Sequence, residues 1–306
     1  MKQLSTMSTP TTKSNETSFL QGVKALFKGL VLVSNILPVL AGITAALYTN
    51  QMITQHPLLT TILTLLGTTC VIAGALVFNN WYDADIDAVM KRTMHRPTVT
   101  GQFSLSSVFN IAIILSVLGF ILLSFTTLLA VIFALIGWIT YVFLYTMWSK
   151  RRYTWNTIIG SVSGAVTPLI GWFAITSELS LIPFAMVLIL FLWQMPHTYV
   201  IAIKKYNEYK IAGVKMLPVT HGIATAKRRT TYYLASLIPS SLMFYPLSPV
   251  FTIIAVLMAS IGLIIAVTSY VNQKDDWKWA NRIFLFSVNY IMFLFIGIVI
   301  TTFILY

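Results

Sequence analysis

Charge is what this sequence has least of. Of its 306 residues only 9% are Asp, Glu, Lys or Arg, while 57% are hydrophobic; a soluble domain carries about a quarter charged residues. So little charge cannot clothe a globule of this size in water, which excludes a soluble enzyme and a secreted scaffold. Negative charge is scarcer still, with 8 acidic residues against 20 basic ones and a net charge of +12. Cysteine is nearly missing. The single Cys70 rules out an intrachain disulfide and a cysteine-built metal cluster, and within an apolar run it reads as a small buried residue. The first 28 residues lack the apolar core and cleavage site of a secretory signal and the arginines of a mitochondrial presequence. Rich in Ser and Thr, residues 1–28 read as a disordered polar cytoplasmic tail.

What the chain does have is long uncharged runs. Residues 29–82, 97–149 and 230–273 are free of Asp, Glu, Lys and Arg, as are 153–177, 179–203 and 283–306. A membrane-spanning helix needs roughly 20 apolar residues, so the first three runs hold two spans each and the others one. The expectation is an all-α polytopic membrane protein with nine transmembrane helices, one domain over residues 29–306 behind the tail. With nine spans, every basic residue falls on one side of the membrane, and the opposite loops carry Glu178 alone. The positive-inside rule makes the basic side cytoplasmic, with the N-terminus inside and the C-terminus outside. The net positive charge is then a matter of topology and anionic lipid, not of nucleic acid.

Two long loops, 80–105 and 202–229, lie on the basic side and gather the polar residues. Asn79, Asp83 and Asp87 are spaced i, i+4, i+8, so a helix running through them stacks all three on one face while Asp85 points away. Carboxylates stacked at a membrane boundary repel each other and lose hydration. A hard cation relieves both, and Mg²⁺ is commonly held by one or two carboxylates plus phosphate oxygens and water. A solvated acidic helix end is the alternative. Arg92 and Arg96 follow closely and suit phosphate, because a guanidinium donates paired hydrogen bonds; membrane anchoring alone also explains a basic residue there. Lys150 and Arg151, after the fourth span, face the same side.

The second loop reads as a distant copy of the first. A shift of 121 residues sets Lys204 on Asp83, Glu208 on Asp87, Pro218 on Pro97 and Gly222 on Gly101. The pairing implies two pseudo-repeated halves of four spans, a ninth span outside the repeat, and a cavity between the halves at the basic face. His197 closes an unusually polar span end, Trp193-Gln194-Met195-Pro196-His197. Polar groups at that depth tend to face cavities. His197 and His221 suit a metal, an acid–base role, or a hydrogen bond in the fold. Along span five, Gly160, Gly164 and Gly171 suit close helix packing, with Asn156 at its head.

The pattern Asn79-x-x-x-Asp83-x-x-x-Asp87 after a span, in a nine-span chain, resembles the UbiA-type intramembrane prenyltransferases. Narrower motifs resemble the branch of that family that farnesylates protohaem: Asp83-Ala-Asp-Ile-Asp87 running on to His95-Arg96-Pro97, Trp193 to His197, Ile203 to Gly213, and Met216 to Gly222. Tyr145 and Thr154-Trp155-Asn156 agree as well. The resemblance implies a Mg²⁺-dependent transfer of farnesyl from farnesyl diphosphate to haem B, giving haem O, in a bacterial plasma membrane with the active site on the cytoplasmic side and a haem A synthase as partner. It makes Asn79, Asp83 and Asp87 the metal-binding set and Arg92, Arg96, Lys204, Lys150 and Arg151 the diphosphate cations. His197, Asn156, Tyr145, Glu208 and His221 become candidates for contact with substrate. One departure matters: relatives acting on aromatic acids usually carry a second Asp-x-x-x-Asp, where this chain has Lys204 and Glu208. A quinone precursor or another tetrapyrrole as acceptor, and more remotely a transporter, are the competing readings.

Overall fold

The computed structural model describes residues 19–49, 53–272 and 275–305. The chain runs through α1 (Phe19–Phe27), α2 (Gly29–Tyr48), α3 (Pro57–Tyr82), α4 (Ala84–Val89), α5 (Pro97–Thr100) and α6 (Leu105–Ser124). Next come α7 (Leu128–Ile139, continued as a π-helix over Thr140–Ser149), α8 (Asn156–Ala165), α9 (Thr167–Ile175), α10 (Leu181–Lys204), α11 (Tyr206–Ile211) and α12 (Leu217–His221). The last three are α13 (Ile223–Ser241), α14 (Pro249–Asn272) and α15 (Asp276–Leu305). The described residues contain no strand. That follows from the setting: backbone N–H and C=O groups in lipid must be satisfied within the segment, which a helix does by itself.

Eight helices, or pairs continuing one another, are long and apolar enough to cross a membrane. The seventh expected span corresponds to α13, which falls outside that set because Lys227, Arg228 and Arg229 occupy its first turns. Lys227 Nζ donates to Asp276 Oδ1 (2.9 Å) at the start of α15. The beginnings of α13 and α15 therefore share one face of the bundle.

Span five is two helices rather than one. Pro168 has no N–H to give and its ring crowds the carbonyl of Gly164; the Thr167 hydroxyl donates to that carbonyl instead (2.8 Å). Next to the break, glycines let α2 and α9 approach closely. A Cβ on Gly171 would stand 2.0 Å from the Val39 carbonyl oxygen, and one on Gly42 would stand 2.2 Å from that of Pro168. The packing reading of Gly160 and Gly164 also holds, since their faces are covered by Tyr145 and Gln194.

The repeat predicted from the 121-residue offset is visible element by element. Shifted by 121, α4 and α5 fall on α11 and α12, and α6 falls on α13. Gly101 and Gly222 both adopt positive φ, 77° and 85°, where only glycine is free of steric penalty. In each half the helix that enters the loop packs along the helix that leaves it, α3 on α6 and α10 on α13.

The expected disordered tail needs correction where it can be followed. Residues 1–18 lie outside the described residues, but Phe19–Phe27 form a helix. Its Leu26 is buried, the Leu26 carbonyl accepts from Asn80 Nδ2 (2.7 Å), and Phe19 meets Phe103 edge-on. The apolar positions of Phe-Leu-Gln-Gly-Val-Lys-Ala-Leu-Phe thus find a surface to cover, which the Ser/Thr-rich composition of the whole tail conceals.

Candidate functional site

The site begins where α3 ends. Asp83 interrupts the regular helix, yet Asp83 N–H still donates to the Asn79 carbonyl (3.0 Å) and Asp87 N–H to that of Asp83 (2.8 Å). The i, i+4 succession therefore survives the bend. Asn79, Asp83 and Asp87 are all buried on one side, while Asp85 is exposed on the other, as the spacing predicts.

Three cations converge on this stack from separate elements. Lys150 pairs with Asp83 and Arg96 pairs with Asp87. Lys28 Nζ donates to Asn79 Oδ1 (2.6 Å), and Asn79 Nδ2 donates to Asp83 Oδ2 (2.6 Å) and to Thr146 Oγ1 (3.2 Å). Lys28 is a site residue that sequence reasoning left in the tail. It is the one described non-glycine residue at positive φ (48°), a conformation that costs energy for a residue with a Cβ. That turn between α1 and α2 aims its side chain inward. Burial, together with the charges of Arg96 and Lys150, holds the Lys28 ammonium well below the usual lysine range. The only signal in the sequence was its place as the last charge before a 54-residue uncharged run.

The π-helix brings Lys150 into place. Lys150 N–H donates to the Tyr145 carbonyl (3.0 Å), an i→i+5 bond that widens the turn; such segments are frequent at functional sites. The widened turn presents Tyr141 and Tyr145 to a common cavity with their rings 5.6 Å apart, and sets Lys150 Nζ 5.8 Å from the Tyr145 ring centroid.

The donor set fits a hard cation. Asp83 Oδ1 is buried and accepts no hydrogen bond among the described residues, with Arg151 Nη2 standing 3.6 Å away. Such an oxygen lacks a partner it needs. No group of three or more His, Cys, Asp or Glu side chains is clustered among the described residues, so an all-protein cage is not formed. Two carboxylates and an amide suit Mg²⁺ that keeps waters and takes substrate phosphate oxygens.

Below the cluster lies a cavity of about 370 Å³ between α2, α3, α7, α8, α9, α10 and α15. Val31 and Ser34, one to two turns past Lys28, and Tyr145 form its upper wall; Val71, Ile72, Leu190 and Phe295 line it further in. His197 also lines it.

Other expected residues stand elsewhere. Arg151 makes a two-pronged pair with Asp85 (2.6 and 2.7 Å), which holds the Asp85 carboxyl below its usual range. Arg151 Nη2 also lies 3.6 Å from Asp83 Oδ1, so it joins Asp85 to the edge of the stack. The Arg92 backbone N–H donates to Glu208 Oε2 (3.1 Å) while its side chain is exposed, so Glu208 serves as a tie between the two loops. Lys204 turns toward α15, donating to Asn281 Oδ1 (2.7 Å) and lying over the Phe284 ring. Asn156 Nδ2 donates to the carbonyls of Tyr153 (2.8 Å) and Lys215 (3.0 Å), and its Oδ1 accepts from Thr157. Its polar atoms join the loops around it. His221 is exposed and pairs with Thr220 (2.9 Å), away from the cavity. The offset that mapped Lys204 and Glu208 onto the first loop carried their backbone positions but not their partners.

A model of the UbiA prenyltransferase family matches residues 35–289. A protoheme IX farnesyltransferase of Oceanobacillus iheyensis is 46% identical over 284 residues, covering 92% of this chain and 90% of its own. One from Alkalihalophilus pseudofirmus is 45% identical over 279 residues, covering 91% and 89%. Among solved structures, a UbiA homologue from Archaeoglobus fulgidus bound to DMAPP and Mg²⁺ superposes with a TM-score of 0.69 at 16% identity, over 90% of this chain and 98% of that one. A digeranylgeranylglyceryl phosphate synthase gives 0.73 at 18% identity, over 92% and 99%. A family match over most of the length, high-identity relatives and a shared all-helical fold agree: the chain belongs to the UbiA prenyltransferase family.

Proposed function

We propose that this protein transfers the farnesyl group of farnesyl diphosphate to a vinyl group of haem B, with addition of water, giving haem O and diphosphate. The observation that carries the reading is a buried stack of two carboxylates and an amide, ringed by three cations, directly above an apolar cavity. The names of the relatives at 45–46% identity support haem as the acceptor.

Asp83 and Asp87, with Asn79, would hold Mg²⁺. The ion, when bound, supplies positive charge to the leaving diphosphate. Lys28, Arg96 and Lys150 donate to the remaining oxygens, so the cluster offers an anion hydrogen-bond donors together with positive charge. As the allylic C–O bond breaks, negative charge accumulates on the leaving oxygen, so these fixed donors favour the transition state over the bound substrate. Tyr141 and Tyr145 border the point where chain and diphosphate join, and the apolar walls below exclude water from the allylic cation until the vinyl carbon attacks it. The haem is a substrate, not a resident group.

In the same reading the chain crosses a bacterial plasma membrane nine times as one domain, to which the helix Phe19–Phe27 and Lys28 also belong. The basic face and N-terminus are cytoplasmic, the C-terminus is outside, and a haem A synthase receives the product. Pairing of Lys28, Lys150 and Arg96 with one cluster supports a common side for the loops that carry them. The test is mass spectrometry of haems extracted after incubating the purified protein in lipid with haem B, farnesyl diphosphate and Mg²⁺. Haem gaining one farnesyl and one water, dependent on Mg²⁺, is expected. Unmodified haem, with farnesyl transferred to a quinone precursor when one is added to the same mixture, would replace the acceptor.

A further inference from the structure

His197 is held as a metal ligand is held. Its ring lies between Trp193 and Phe284, with centroids 4.7 and 5.4 Å away and interplanar angles of 21° and 25°. Its Nδ1 lies 2.9 Å from Ser287 Oγ. Ser287 Oγ also lies 2.8 Å from the Phe284 carbonyl oxygen; with the hydroxyl proton directed there, its oxygen accepts from Nδ1–H. Nε2 then bears the lone pair. It has no partner among the described residues, on a residue that lines the cavity. Two stacked rings and one hydrogen bond fix the plane, the tautomer and the direction of that lone pair. A ligating histidine shows the same arrangement, with its second nitrogen donating to an oxygen that fixes tautomer and orientation.

A merely structural histidine uses both nitrogens or turns the free one to water. Here the other nitrogen sits on a membrane-spanning helix, on a residue that lines a cavity, a depth at which polar groups tend to serve a pathway or ligand. We infer that His197 Nε2 is an axial ligand to the iron of the acceptor haem, with Ser287 as its positioning residue. The inference rests on haem being the acceptor. Ligation donates a lone pair and moves no electron or proton, and it anchors a porphyrin whose periphery then meets the cavity.

The test uses the full chain in lipid nanodiscs with ferric haem B and no farnesyl diphosphate, read by visible absorption and electron paramagnetic resonance. Wild type is expected to show a nitrogen-ligated haem. His197→Ala should lose that signature, bind haem at least about tenfold more weakly, and regain the signature on addition of free imidazole. Ser287→Ala should keep the ligand but weaken haem binding about tenfold. Should His197→Ala fail to fold, His197→Met preserves bulk and exchanges nitrogen for thioether, and its spectrum must change. A wild-type haem without nitrogen ligation, or an unaltered spectrum in a folded His197 variant, overturns the inference. Turnover measured in parallel separates the two ideas. Farnesylated haem with an unaltered variant spectrum removes only the ligand, whereas no farnesylated haem from wild type removes the proposed reaction.

Discussion

The loop after α3 and the loop after α10 share a backbone plan and differ in chemistry. Each leaves a long helix, makes a short helix, reaches a second short helix with a proline in its first two positions, and turns through a glycine at positive φ. In the first loop the two key positions are Asp83 and Asp87, buried and paired with cations brought from elsewhere. In the second they are Lys204 and Glu208. Lys204 turns to Asn281 on α15, and Glu208 holds Lys205 and the backbone of Arg92. A common fold thus carries a charged reaction centre on one side and a scaffold on the other. The reason is local electrostatics: two stacked carboxylates in a dry setting demand cations from elsewhere in the fold, whereas Lys204 is satisfied by one amide oxygen and Glu208 by the neighbouring Lys205 and a backbone N–H.

Substitutions at matched positions sharpen that contrast. The largest effect is expected for Asp83→Asn, which should lower farnesyl transfer by about 10³-fold, as loss of a preorganised electrostatic group does. Its counterpart in the second loop, Glu208→Gln, should cost less than about tenfold, since it loses only loop ties. Both are read by product mass spectrometry on monodisperse protein, and equal losses would erase the distinction between the loops.

Lysines come next. Lys28→Met removes a charge-assisted contact to the site, so kcat/KM for farnesyl diphosphate should fall about 10- to 100-fold. Lys204→Met should leave the KM for farnesyl diphosphate within about twofold, because its ammonium is directed to α15. A large rise in that KM would return Lys204 to the diphosphate site.

Smaller effects belong to the frame. Asn156→Ala loses hydrogen bonds that join the loop after α7 to the loop before α12, and should destabilise the protein by ~2 kcal/mol. Denaturant titration in detergent checks this. Gly171→Ala forces a methyl group against the Val39 carbonyl and should destabilise by ~1–3 kcal/mol, with α2 and α9 pushed apart. An unchanged stability would mean that the glycine contact carries no packing role.

Much of the first loop was legible because helical spacing converts directly into a shared face. Asn79, Asp83 and Asp87 stand together for the reason that their numbers differ by four. The 121-residue offset likewise foretold where the second loop would bend. The partners were not legible. Asp85 and Arg151, Arg92 and Glu208, Lys204 and Asn281 are 66, 116 and 77 residues apart, and no periodicity links residues at such separations.

Composition and spacing alone were enough to decide the solvent, the helical class, the acidic stack and the family resemblance. Each depends on local quantities: apolar length against bilayer thickness, and helical turns against residue number. Packing of α1 on α3 decided that Lys28 enters the site, a widened turn decided that Lys150 reaches Asp83, and the meeting of α10 with α15 decided that His197 is held by Ser287. Those outcomes depend on which surfaces bury each other, a property of the whole bundle that no single segment encodes.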